Sequence, residues 1–175
     1  MACGEAAGTP SIFLTALTPP SDQEPAVSDH GLDVITIVVG EVELVVEVAD
    51  DPAERQRGLS GREGLVGIDG MLFHFAAGRA TSLWMKGMLF GLDFIWVGSD
   101  CTVVDLHRNV PAPGRPGESL PIYRPGAEAA SVIEIAAGRT AELGIRVGHG
   151  VRYGTSASGK SYGCGGQGEG DAAEG

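Results

Sequence analysis

Short β-branched runs broken by glycine, proline and aspartate fill the chain from residue 34 to residue 153, and no hydrophobic period persists outside that span. Val34–Val39 and Val42–Val48 are separated by Gly40-Glu41, which reads as a hairpin. Val42, Leu44, Val46 and Val48 share one face of the second run while Glu43 and Glu47 point the other way, so this strand is expected to keep a wet side. Asp51-Pro52-Ala53-Glu54 predicts a helix start, with Asp as N-cap, Pro at the first position and Glu three residues on. Gly58 suits a left-handed C-terminal position. A helix of about two turns cannot stand alone, and Leu59 and Leu65 are its expected anchors.

Met71, Phe73 and Phe75 then alternate with Leu72 and His74, which makes the first three core residues and His74 a solvated strand position. Ser82–Lys86, Leu92–Val97, Thr102–His107 and Val132–Ile135 read as further strands. Five prolines between Pro111 and Pro125 require a long surface loop. Thr140–Leu143 forms a helical turn closed by Gly144, ahead of a last strand within 145–153. The predicted fold class is mainly β, a small sandwich or partly closed barrel of about seven or eight short strands with one or two short helices. Alternating βα units are absent, which excludes a Rossmann-type sheet. Residues 34–153 form the expected domain. Residues 1–33, rich in Pro, Ser, Thr and acids, read as a disordered tether, and 154–175 as a disordered Gly-rich tail.

Charge sharpens this division. The net charge of −11 splits into −5 over residues 1–33, −4 over 34–153 and −2 over 154–175. The acidity thus gathers in the ends, and no basic patch is visible to contact a phosphate backbone, so nucleic acid is not expected as a partner. Cys3, Cys101 and Cys164 are widely spread, outline no disulfide framework and leave at least one thiol free. No zinc-ligand spacing links them to the four histidines, so neither a metal nor a cofactor is expected. No apolar run is long enough to span a membrane. Met1-Ala2-Cys3-Gly4 looks like the end of a lipoprotein signal whose hydrophobic part is missing; with the true start upstream, Cys3 would be lipidated and the domain exported to the cell envelope on a tether, and an ordinary cytoplasmic N-terminus is the alternative.

Gly154 to Ser161 fits the phosphate-loop expression GxxxxGK[ST] letter for letter. That chemistry needs a helix N-terminus facing the phosphates, and the Gly-dense segment after Ser161 cannot hold a helix, at about 1 kcal/mol lost per glycine relative to alanine. The match is therefore refused. No GxSxG, HExxH or strand-linked GxGxxG occurs. Cys101 and His107 would lie about 20 Å apart on a strand rising about 3.3 Å per residue, so a buried strand cysteine is the favoured reading of Cys101.

Arg57-Gly58-Leu59-Ser60-Gly61-Arg62, Gly70-Met71-Leu72-Phe73-His74-Phe75, Leu83-Trp84-Met85-Lys86 and Leu92-Asp93-Phe94-Ile95 are distinctive in order and spacing. With Asn109-Val110-Pro111, Tyr123, Glu134 and Leu143-Gly144-Ile145, they make the chain resemble the domain-of-unknown-function family 192 (DUF192) of bacteria and archaea. The resemblance implies a small β-rich domain, often behind an export signal, with no established activity, cofactor or catalytic residue. Gly87 stands where the family tends to carry Asn, Gly91 where it tends to carry Pro, and His149 where it tends to carry Asp.

Arg62, Lys86 and Asp93 are charges embedded in apolar motifs, and burial of any one alone would cost several kcal/mol, so partners are expected. With Trp84 they are the candidate ligand-binding residues. A structural ion pair, a carboxylate capping backbone N–H groups and a core tryptophan are the favoured alternatives. Glu134 pairs with Arg62 or Arg124 or faces solvent, Asn109 caps a turn, and the 111–125 loop walls any pocket. Two functions follow. One is a non-catalytic envelope module that binds a small ligand, a glycan or a protein. The other is a small hydrolase or lyase using Asp93 or Glu134 with Lys86 and Arg62.

Overall fold

The computed structural model describes Ser28 and residues 30–75, 80, 82–114 and 119–164. The lipoprotein-like residues, most of the expected tether and residues 165–175 lie outside these. Nine strands and two short helices occur among the described residues: β1 Val34–Val39, β2 Val42–Ala49, α1 Pro52–Arg57, β3 Gly70–His74, β4 Leu83–Trp84, β5 Leu92–Val97, β6 Val103–Val110, β7 Ile122–Tyr123, β8 Ser131–Ala136, α2 Arg139–Glu142 and β9 Val151–Tyr153.

Seven strands form one sheet in the order β6-β5-β8-β3-β2-β1-β9, and β4 pairs with β7 in a separate two-stranded sheet. All main-sheet pairs are antiparallel except β2 with β3, whose crossover is made by α1 and the loop after it. The main sheet curls into a half-barrel. At one end it nearly closes, because Thr102, just before β6, bridges Gly150, just before β9. Inward alternation fills the concave side with Ile35, Ile37, Leu44, Val46, Val48, Leu72, Ile95, Ile133, Ile135 and Val151. The opposite face carries Met71, Phe73, Phe94, Trp96 and Val132, covered by Leu59, Met85 and Met88 from the connecting segments.

Register places Glu47, Met71, Glu134 and Phe94 in one row across the sheet. The wet side expected for β2 is therefore real only at Glu43. Glu47 is 2% exposed, because the segment carrying Leu59 and Arg62 folds over it. Gly70 begins β3 where a Cβ would lie 2.0 Å from the Glu134 carbonyl oxygen, so only glycine lets these backbones meet.

The helix start is as read. Asp51 accepts from the Glu54 N–H at 2.8 Å, and Glu54 Oε2 reaches back to the Asp51 and Asp50 N–H groups. No residue of α1 is buried. Arg55 holds it in place instead, donating to the His74 carbonyl at 3.0 Å and lying over the Phe75 ring.

The stretch from 154 to 164 departs from the tail expected there. Gly154 donates to the Thr36 carbonyl, Thr155 bridges Ser161, and Tyr162 and Cys164 are buried in the concave core. Cys164 is disulfide-bonded to Cys101, which occupies a left-handed turn (φ 59°), not a strand. The expectation of no disulfide fails because pairing depends on proximity in space, and 63 residues separate these two. Lys160 of the phosphate-loop look-alike is tied to Asp50, and Ser158 donates to Asp33. No helix follows Ser161 among the described residues. His74 is likewise no solvated residue: Tyr162 packs edge-on against it at 5.4 Å, and burial lowers its pKa.

Candidate functional site

Asp93, at the second position of β5, is fully buried. Its Oδ1 accepts from the backbone N–H of Asn109 at 2.6 Å and of Gly138 at 3.1 Å. Its Oδ2 accepts from the Thr140 N–H at 2.9 Å and the Thr140 hydroxyl at 2.6 Å. A bulge in β6 makes this possible. Register shifts between Leu92 and Phe94, leaving Arg108 and Asn109 opposite Asp93, with Asn109 at φ 54° turning its N–H inward. Burial alone would raise the carboxyl's pKa, but the four hydrogen bonds outweigh it and hold the group below its ordinary value. Asp93 is thus a clamp on the β6 bulge and the start of α2, and Asn109 is its donor instead of a turn cap.

Arg62 is paired with Glu47 at 2.6 Å, and their side chains are 13% and 2% exposed. The contact is an ion pair without an aligned N–H···O hydrogen bond. It floors a broad depression of about 560 Å³ rimmed by Ser28, His30, Glu63 and Val66. The four sequence candidates therefore do not converge. Asp93 and Arg62 are each satisfied by scaffold, in different places.

Trp84 and Lys86 do meet. Trp84 is not a core residue: it is 52% exposed, because β4 belongs to the small sheet with β7 and stands off the main one. The core tryptophan is Trp96, fully buried, whose indole N–H donates to His107 Nδ1 at 2.8 Å. Lys86 Nζ lies 5.2 Å from the centre of the Trp84 ring. Both line a cavity of about 320 Å³ between α1, the segment after it and β4, whose walls include Arg57, Ser60, Phe73 and Ser82. No described residue of 111–125 lines it; that loop contributes β7, which holds β4 in place.

Glu134 also lines this cavity. β8 lies between β3 and β5, and register sets Glu134 between Met71 and Phe94 on the face under α1. The residue is 4% exposed, and no described residue pairs with its carboxyl. Burial pushes its pKa up to about 8, so at neutral pH it is mostly a neutral acid able both to donate and to accept a hydrogen bond. Neither Arg62 nor Arg124 is its partner, and it does not face solvent. Alternation along β8 placed it on one face; only the covering by α1 and β4 revealed which kind of face that is. Among the described residues no three His, Cys, Asp or Glu side chains gather as a metal site.

Fold and cavity together define a single β-rich half-barrel domain in which a buried acid and a half-exposed tryptophan line one cavity. The chain belongs to the DUF192 family, whose model, described as an uncharacterized ACR, matches residues 35–153. Two solved structures are similar. A protein of unknown function from Novosphingobium aromaticivorans is 29% identical with a TM-score of 0.63, over 75% of this chain and 94% of that one. A protein from Sinorhizobium meliloti, described as a candidate transcription regulator, is 30% identical with a TM-score of 0.57, over 69% of this chain and 92% of its own. No curated protein matches the chain.

Proposed function

We propose that this domain is a non-catalytic binding module of the cell envelope and that it takes a small polar ligand in the cavity over Glu134. The observation that carries this reading is the unpartnered, nine-tenths-buried carboxyl in an open cavity. The carboxyl lines the cavity with no protein partner among the described residues, so its hydrogen-bonding capacity is available to a ligand, and perturbed acids in clefts mark functional sites. The half-exposed ring of Trp84, which lines the same cavity, adds a flat apolar contact. The Cys101–Cys164 disulfide supports an oxidising compartment, in keeping with export.

Binding is favoured over hydrolysis or a lyase reaction because, among the described residues, Glu134 is the only acid lining this cavity. Asp93, the partner acid that chemistry would use, is committed to four hydrogen bonds elsewhere. The domain's negative charge argues against a phosphate-backbone partner. A thermal-shift screen of sugars, nucleotides and cell-wall fragments tests the reading. Ligand at about 100 times Kd should add about 2.7 kcal/mol of stability to the wild type and much less to Trp84→Ala and Lys86→Ala. Shifts unchanged by both substitutions, or no shift from any compound, would overturn it.

A further inference from the structure

We infer that the ligand of this cavity is an acidic saccharide, one or two sugar rings bearing a carboxylate or phosphate. This rests on the binding role proposed above and names the chemistry the site would recognise. Three observations converge on it. Arg57 and Lys86 both line the cavity, and no carboxylate pairs with either among the described residues. Arg55, the third cation there, is already committed to the Asp50 and His74 carbonyls. Two unneutralised cations at one mouth favour an anion, and the guanidinium fork suits a carboxylate or phosphate. The Trp84 ring offers a flat face that matches the C–H face of a sugar. Glu134, protonated, donates to and accepts from neighbouring hydroxyls, a pairing that a purely aromatic acid could not satisfy. A volume of about 320 Å³ lies at the low end of small-molecule sites, which limits the occupant to one or two rings.

The charge logic also gives a pH signature. The cations that line the cavity with Glu134 are Arg55 and Arg57 from α1 and Lys86 from the segment after β4, and burial, not any of these charges, sets the carboxyl's raised pKa. Deprotonating Glu134 would place a buried anion near the ligand's own, so affinity for an acidic sugar should fall as pH rises past about 8.

Calorimetric titration of the full chain with glucuronic acid, glucose 6-phosphate and glucose, at low salt, tests this. At least one acidic sugar should bind roughly tenfold more tightly than glucose, the scale of one charge-assisted contact. Arg57→Ala and Lys86→Ala should each remove most of that preference, bringing the acidic sugars to within about twofold of glucose measured on the same variant. Glu134→Gln should retain binding and lose the fall above pH 8. Preference for glucuronic acid or for the phosphate identifies which acid group is used. Equal affinity for acidic and neutral sugars would overturn the acidic-ligand inference and leave the binding role standing. Binding of benzoate as tightly as glucuronic acid would overturn the saccharide assignment. Failure of all three sugars to bind would overturn the inference, whereas the broader screen decides the binding role.

Discussion

Replacing Asp93 by Asn separates scaffold from site most directly. Asparagine keeps the shape and one acceptor. With its Oδ1 placed as in the aspartate, it still accepts from the Asn109 and Gly138 N–H groups. Its Nδ2 then faces the Thr140 N–H and hydroxyl, where Asp93 Oδ2 had accepted from both. The hydroxyl can rotate to accept, but its oxygen already accepts from Arg108 Nε at 3.1 Å. The backbone N–H cannot rotate. One buried N–H left unpaired costs about 1–3 kcal/mol, and losing the charge weakens the surviving bonds by about 1 kcal/mol more. A loss of about 3 kcal/mol corresponds to roughly 10 °C in Tm for a domain of this size. Chemical and thermal denaturation at pH 7 measure it. The aspartate's lowered pKa adds a sign: its stabilisation is present above the ordinary value of 3.8 and is lost as pH falls through the folded-state value, so the gap between wild type and Asp93→Asn should close below about pH 4. A variant that melts within about 2 °C of wild type yet loses ligand binding would refute the clamp and restore Asp93 as a site residue.

Three further outcomes follow from the same packing. Glu134, with its pKa raised from 4.5 to about 8, stabilises the fold fully below pH 4.5 and loses that contribution as pH rises to about 8, by a few kcal/mol; Glu134→Gln should flatten the Tm–pH curve across that window. The Cys101–Cys164 bond closes a long loop, so the double Cys→Ser variant should lose on the order of 4 kcal/mol in denaturant titrations by the chain-entropy account, and alkylation trapping of the purified protein should find both cysteines oxidised. Arg62→Met leaves Glu47 buried and unpaired, costing about 3–5 kcal/mol, whereas the double change Glu47→Leu with Arg62→Met should recover most of it; a double variant no better than the single would refute a purely structural pair.

Local chemistry was legible because its causes are local. The β-branched run Val34–Val39 and the strand read at Leu92–Val97 matched the observed strands residue for residue, and the Asp51–Glu54 capping box matched the helix start. Both depend only on side chains a few positions apart. β4 shrank to two residues because no neighbour in the main sheet extends its ladder, while Ile122–Tyr123 became a strand within a Pro-rich loop by pairing with it. Gly87 takes φ 70°, a left-handed conformation that glycine adopts without a Cβ penalty.

The sequence by itself determined the mainly β character, the family and the expectation that Arg62 and Asp93 need partners. Tertiary structure alone decided who those partners are: Glu47 for one, the backbone around Asn109 and Thr140 for the other. It also decided that Trp84 and Lys86 share a cavity with Glu134, and that the Gly-rich end returns to close a disulfide at Cys101. Period and capping are written in neighbouring residues, whereas burial, ion pairing and disulfide bonding depend on segments tens of residues apart that meet only when the sheet curls.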